Sequence, residues 1–434
     1  MTAACLALVA ALLWRDQRAH GGSLAGWVPF LWLALCSSRA LSDWIGVGAP
    51  RGSAQAFADG SPIDRAALFA LIVAGVLVLR ARRLPWADLM AVNKLLVLYA
   101  LYCAASTMWA ESPLLAQRRL LKDMGHGVMA LVLLTEAQPL QAYLTLMRRL
   151  AIVLLPLSVL FIVAYPQLGT ARSPGGVLMY TGVTNQKNEL GRLCLVLGMA
   201  ALWSALSPGR PGLTGPRPAP ADRLVGLGLT AMGATLLVMS DSRTAMACLA
   251  LVAALLVGAR LPVVRTRPAR VVALAVVAGG AAFAADAAFG LRETVLAWAG
   301  RDPTLTHRTG IWRVLLAMPS QPLIGEGYMS FWSGPRLQEI WTALKAPILQ
   351  AHNGYIEQYL NLGWIGAAFM VALLAVGVVG ARRQMQSDPA GGMLKLCCVA
   401  SAALYNWSEA AFYGMNAMWM LALVGILDTR VLRR

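Results

Sequence analysis

Charge is scarce in this sequence. Only 13% of the 434 residues are Asp, Glu, Lys or Arg, against about 25% in an ordinary soluble domain. Acids are scarcer than bases, 20 against 37, which leaves a net charge of +17. Histidine occurs four times, and the seven cysteines form no CxxC pair. With no HExxH and no Cys/His cluster, the sequence offers no metal site. The cysteines read as small core residues rather than disulfides. An N-terminus apolar from its first residue, without a basic n-region, reads as a retained helix and not a cleaved signal.

What the chain has is hydrocarbon. Hydrophobic residues make up 58%, gathered in runs long enough to cross a core of roughly 30 Å, which takes about 20 helical residues. These runs do not alternate, which excludes an outer-membrane barrel. The expectation is an all-α, polytopic integral membrane protein of about 12–13 spans: 2–14, 24–47, 66–80, 88–109, 120–136, 150–166, 187–206, 223–240, 244–259, 271–288, 355–380, 392–411 and 413–428. Ten helices fill residues 1–288, a long polar segment occupies 289–354, and the last helices fill 355–434. The long segment carries an amphipathic piece, Thr309–Leu316. Loops of that length between spans usually carry function.

Basic clusters set the orientation. Arg15/Arg18, Arg80/Arg82/Arg83, Arg148/Arg149, Arg210/Arg217/Arg223, Arg260/Arg265/Arg267/Arg270, Arg382/Arg383 and Arg430/Arg433/Arg434 fall on alternate loops. Those loops are cytoplasmic by the positive-inside rule, which also accounts for the net charge without nucleic acid. The loop at 207–222 reads as a flexible connector.

Four groups of cations break that rule and map to the opposite face: Arg118/Arg119/Lys122, Lys187 with Arg192, Arg243, and Arg308. A cation there is costly unless it meets an anion, and arginine's planar fork suits phosphate. Each has a blander reading. Arg118, Arg119 and Lys122 can touch headgroups, and Arg192 can snorkel from its helix. Ser242 and Asp241 beside Arg243 can simply cap a helix, and Arg308 can pair with Asp302 or Glu326. His352, where the long segment re-enters the membrane, has the side chain best suited to moving a proton near neutral pH. It too can be structural. Asn353, Tyr355 and Glu357 can start the helix that follows or support a group that gives its proton to His352. Tyr328, Phe331, Trp332 and Trp341 can stack on sugar faces or anchor a loop at the bilayer surface.

The ordered motifs WAESPLLAQRRL (109–120), GVTNQKNELG (182–191), DSRTA (241–245), HRTGIW…PLIGEGY (307–328) and HNGYIEQYLNLGWIG (352–366) resemble the bacterial O-antigen ligase / O-antigen polymerase superfamily. The resemblance covers roughly residues 100–370. It implies a GT-C-type glycosyltransferase of the bacterial inner membrane with its active site facing the periplasm and no metal, nucleotide or other cofactor. The implied donor is a glycan on undecaprenyl pyrophosphate. The implied acceptor is either a lipid-linked chain or lipid A–core, with membrane lipids around the protein and no nucleic acid bound. By motif, Arg243 and Arg308 hold the pyrophosphate and His352 activates the acceptor hydroxyl. Lys187 and Asn188 stand at an NKN-like signature that departs from the family pattern, and Arg192 and Arg119 are further donor-side candidates. A Gly-x-Gly-Tyr followed by Phe331-Trp332 resembles exopolysaccharide repeat-unit polymerases, for which a chain-length regulator would be a partner. An O-antigen ligase is the alternative, and a lipid-linked glycan transporter a more distant one.

Overall fold

A computed structural model describes residues 1–47, 61–173, 176–206, 220–265, 267, 269–275 and 308–433. The described chain is helical apart from one antiparallel pair of three-residue strands, β1 (Thr170–Arg172) and β2 (Leu178–Tyr180). Besides one-turn helices, the elements are α1 (Thr2–His20), α2 (Trp27–Cys36), α3 (Pro62–Ala81), α4 (Trp86–Val92), α5 (Lys94–Ser106), α6 (Pro113–Leu134), α7 (Pro139–Ala164) and α8 (Lys187–Leu206). They continue with α9 (Pro220–Met239), α10 (Arg243–Gly258), α11 (Arg308–Ala317), α12 (Gly334–Leu344), α13 (Gly354–Gln384), α14 (Pro389–Ser408) and α15 (Ala417–Ile426).

The all-α expectation holds, but the span count does not carry over. Among the described residues five helices are long and apolar enough to cross a bilayer alone: α3, α7, α8, most of α9, and α13. The expected span 88–109 is broken at Asn93 into α4 and α5, bent by 89°; counted together they make a sixth. The reason for the shortfall lies in packing. α6 buries Arg119, Asp123 and His126, and α14 buries Lys395, whose Nζ donates to the Leu427 carbonyl at 2.5 Å. The faces that carry these groups are covered by protein, so they need not be apolar. α15 has the opposite character: all ten of its residues are buried, and at about 15 Å it is a core helix rather than a span. Of the expected span 271–288, only the part to Ala275 lies within the described residues. All seven cysteines are free, and six are buried.

The chain runs up and down, packing α13 on α14, α14 on α15 and α10, α8 on α9 and α10, α1 on α7, and α3 on α6. This alternation gathers most of the basic clusters at one end. There Asp16 takes Arg148 and Arg149, Arg15 pairs with Asp222, Arg82 with Glu136, and Arg430 with Asp428. The other end collects the starts of α6, α8, α10 and α13 and the ends of α9 and α14.

A break in α13 shapes that second end. Gly363 leaves helical geometry at φ 65°, and the segment 322–327 enters the gap. Trp364 and Ile365 N–H donate to the Pro322 and Leu323 carbonyls at 2.8 and 3.2 Å. Glu326 and Gly327 N–H donate to the Leu360 and Asn361 carbonyls at 3.2 and 2.9 Å. Gly325 also has positive φ, and a side chain there would strike the backbone of Asn361 and Leu362. The PLIGEGY motif is thus a backbone-to-backbone insert, tolerated because it is buried in protein. A satellite core of Leu315, Phe331, Trp332, Leu337, Ile340, Ala351 and Leu360 fastens α11 and α12 over it. The expected amphipathic piece is α11, whose Ile311 and Leu315 face that core, with Met318 just past its end.

Candidate functional site

The C-terminus of α14 organises the site. The last carbonyls of a helix lack intrahelical donors and carry partial negative charge. Here Asn353 Nδ2 donates to the Trp407 carbonyl at 3.0 Å, an Arg308 Nη donates to the Ser408 carbonyl, and Gly354 N–H donates to the Glu409 carbonyl at 2.9 Å. The loop before α13 and the start of α11 are therefore pinned to one helix end.

The Glu409 side chain, 7% exposed, is the hub. Oε1 accepts from Arg308 Nη2 at 2.8 Å and Asn188 Nδ2 at 2.9 Å, and Oε2 faces His352 Nδ1 at 3.4 Å. Burial alone would push this carboxyl up, but the hydrogen bond from His352 and the positive charge of Arg308 outweigh it and hold it below the usual range. Arg192, paired loosely with Glu189 at 3.9 Å, lies within electrostatic reach of the same carboxylate.

A second carboxylate is far more exposed. Asp241 Oδ2 accepts from Lys187 Nζ and Oδ1 from Arg243 Nε, both at 3.2 Å. Arg243 and Asp241 are about half exposed. Burial raises the Asp241 carboxyl, but the bonds and charges of Arg243 and Lys187 together prevail and hold it low. The turn packs on the first turn of α8, where a side chain at Gly191 would strike Ser242. Thr244 Oγ1 meets Ser408 Oγ at 2.6 Å. Lys187 and its neighbour Asn188 thus join the two carboxylates. Four fixed cations (Lys187, Arg192, Arg243, Arg308) meet three carboxylates (Glu189, Asp241, Glu409), leaving one positive charge in surplus before His352 is counted.

His352 is held in the left-handed region at φ 52°, a conformation that neighbours must enforce. On one side Ala351 N–H donates to Glu357 Oε1 at 2.6 Å, and its carbonyl accepts from Trp312 Nε1 at 2.7 Å. On the other, Asn353 caps α13, its Oδ1 accepting from the Tyr355 and Ile356 N–H groups at 2.9 and 3.1 Å. Tyr355 Oη donates to the Ala403 carbonyl at 3.0 Å. The imidazole, 25% exposed, has Nδ1 toward Glu409 and no protein partner for Nε2 among the described residues.

Several expectations are corrected here. Arg308 pairs with Glu409, while Glu326 takes Arg336 at 2.8 Å; Asp302 and His307 lie outside the described residues. Asp241 bridges two cations, and Ser242 makes no side-chain capping bond. Arg119 is buried and donates to the Met329 carbonyl at 2.5 Å, so it braces a loop. Tyr328, Phe331 and Trp332, read either as sugar-stacking rings or as anchors of a loop at the bilayer surface, are 5%, 0% and 5% exposed. Tyr328 Oη donates to Asp123 Oδ2 at 2.6 Å, Phe331 N–H to Asn361 Oδ1 at 3.1 Å, and Trp332 Nε1 to Glu357 Oε2 at 2.9 Å. No face of these rings is open to a glycan. Glu357 starts α13 as expected, but it is fully buried and holds the His352 turn rather than touching an acceptor.

Sequence reasoning missed Glu409. It sits in the apolar run around WSEAAFYG and falls inside the expected span 392–411, though α14 ends at Ser408. The available signal was its rarity: an acid at a span end in a chain poor in acids.

Comparison with known proteins bears on this geometry. A model of the family described as O-antigen ligase matches residues 228–371, which include Asp241, Arg243, Arg308, His352 and Glu357. The exopolysaccharide production protein ExoQ of Rhizobium meliloti (strain 1021) is 26% identical over 311 residues, 67% of this chain and 65% of that protein. The match therefore spans just under two thirds of that relative. Over these residues the chain, a multi-pass helical membrane protein, is similar to the O-antigen ligase / O-antigen polymerase superfamily.

Proposed function

We propose that this protein is an inverting glycosyltransferase of the GT-C type, working at the periplasmic face of the inner membrane. It polymerises repeat units carried on undecaprenyl pyrophosphate. The observation that carries the reading is the convergence of His352, Arg308 and Asn188 on Glu409, beside the Lys187–Asp241–Arg243 bridge. A sugar leaving a pyrophosphate needs two things: cations where the leaving group gathers charge, and a base on the acceptor side.

In this reading the acceptor hydroxyl oxygen bonds to the anomeric carbon as its proton passes to His352 Nε2. The bond from that carbon to the pyrophosphate oxygen breaks on the opposite side, and undecaprenyl pyrophosphate departs with the electron pair. Arg308, largely buried, and the more exposed Arg243 and Lys187 face that charge; preorganised donors of this kind are worth about 10²–10³ in rate each. The base contributes about 10²–10⁴. A single displacement inverts the anomeric configuration.

The relative's name, an exopolysaccharide production protein, favours polymer growth, whereas the family's description, O-antigen ligase, favours transfer of finished polymer to lipid A–core. A size profile of lipid-linked glycans from a deletion strain, complemented with wild type or His352→Ala, decides between them. Single repeat units left on the lipid in the null and the mutant support the polymerase. Long polymer that forms but stays on the lipid makes the protein a ligase. Normal long polymer in both would remove the transferase reading.

A further inference from the structure

One carboxylate reaches both the base and a leaving-group cation. Glu409 divides its oxygens, Oε2 toward His352 Nδ1 at 3.4 Å and Oε1 toward Arg308 Nη2 at 2.8 Å, while Asn188 at 2.9 Å fixes the plane of the carboxylate. Its backbone carbonyl is fastened to Gly354 N–H at 2.9 Å, two residues past His352. The side chain is therefore held from both ends and has little room to turn.

An ionised carboxylate only accepts hydrogen bonds. The neutral imidazole must then carry its proton on Nδ1 to bond Glu409, and the lone pair is left on Nε2, the nitrogen without a protein partner. The same constraint acts on Arg308. Its guanidinium donates to the Ser408 carbonyl and to Oε1, which sets the plane of the fork.

We propose that Glu409 is a positioning residue for the transfer. It fixes the Nδ1–H tautomer of His352, so that Nε2 can accept the acceptor's proton, and it orients Arg308 toward the departing pyrophosphate. This rests on the transferase reading above and adds the group that couples its two halves. The other charged or titratable groups facing Glu409 are Arg192 from α8 and Tyr405 from α14, and Glu357 is the acid nearest the His352 turn.

The test uses the full chain in lipid nanodiscs with ¹⁵N-labelled histidine. The His352 signal is identified by its loss in His352→Gln, and spectra are taken at about pH 8.5, above the ordinary histidine range. In the wild type the Nδ1–H tautomer is expected. In Glu409→Gln, whose amide can donate as well as accept, the Nε2–H form should appear. Turnover of an undecaprenyl-pyrophosphate-linked oligosaccharide should fall by about 10²–10⁴ in kcat, the range of lost base catalysis, with KM changed far less. Glu409→Asp should restore part of kcat and the Nδ1–H signal.

A wild-type His352 protonated on Nε2 overturns the proposal whether or not any variant folds. So does a Glu409→Gln enzyme that keeps the tautomer and a kcat within about threefold of wild type. If the wild type turns over no lipid-linked glycan while the tautomer still depends on Glu409, the transferase reading fails and the tie between the two side chains stands.

Discussion

Arg308 and Glu409 lie a hundred and one residues apart in the chain and 2.8 Å apart in space. Their pairing fixes α11, the first described helix of the long polar segment, to the end of α14. The arginine also reaches the Ser408 carbonyl, so two donors of one fork are used at once. Lysine carries the charge but cannot span both acceptors. Arg308→Lys should lower turnover by about 10²–10³, with Arg308→Ala no better. Assay on a lipid-pyrophosphate-linked glycan checks this, and an unimpaired lysine variant would remove the bidentate role.

Asp241 offers a change in the other direction. At φ 45° it occupies a conformation that asparagine also accepts, so Asp241→Asn should fold. The substitution removes one negative charge between Lys187 and Arg243 and leaves both cations for an external anion. Exposed ion pairs of this kind are worth about 0.2–1 kcal/mol each, so affinity for inorganic pyrophosphate should rise by a few-fold and become more sensitive to salt. Calorimetric titration at two ionic strengths measures both; weaker binding would argue that Asp241 itself orients the two cations for the anion.

Acidification should reveal the Glu409 network. Its carboxyl is held below the ordinary value of 4.5 in the folded chain, so its contribution to stability is complete above that value and is lost as pH falls through the lowered one. Removing one partner of a buried pair typically costs about 3–5 kcal/mol. Glu409→Ala should therefore melt well below wild type near neutral pH. The gap should narrow only below about pH 4.5, as followed by thermal unfolding in detergent across the acid range.

The buried aromatics call for a stability test. Trp332→Phe keeps the ring's bulk in the satellite core and removes the donor to Glu357 Oε2. Hydrogen bonds to charged groups contribute roughly 1.5–3 kcal/mol. Trp332→Phe should lower the melting temperature measurably and leave the KM for glycan unchanged. A raised KM with normal stability would return Trp332 to the sugar-binding face.

Much of the site was legible because a membrane sorts charge. Lys187, Arg243 and Arg308 stood out as cations on loops where the positive-inside rule asks for none, and the fold brings them to one end with His352. The acid that ties Arg308 to His352 is harder to see. Glu409 lies within an apolar stretch, where hydropathy averages a single carboxylate away. The burial of Tyr328, Phe331 and Trp332 is hidden for a related reason: a loop inserted into a broken helix has the composition of a surface loop and the burial of a core. Helix boundaries failed where neighbouring protein replaced lipid, as along α6 and α15.

The left-handed backbone at His352 has a practical consequence. Glycine adopts φ near 52° without a steric penalty, so His352→Gly should fold with the turn intact and leave a gap the shape of an imidazole beside Glu409. Free imidazole supplied at millimolar concentration can fill such a gap, and restored polymer synthesis in the glycine variant, absent in Arg308→Ala under the same treatment, would mark His352 as the proton acceptor by small-molecule complementation.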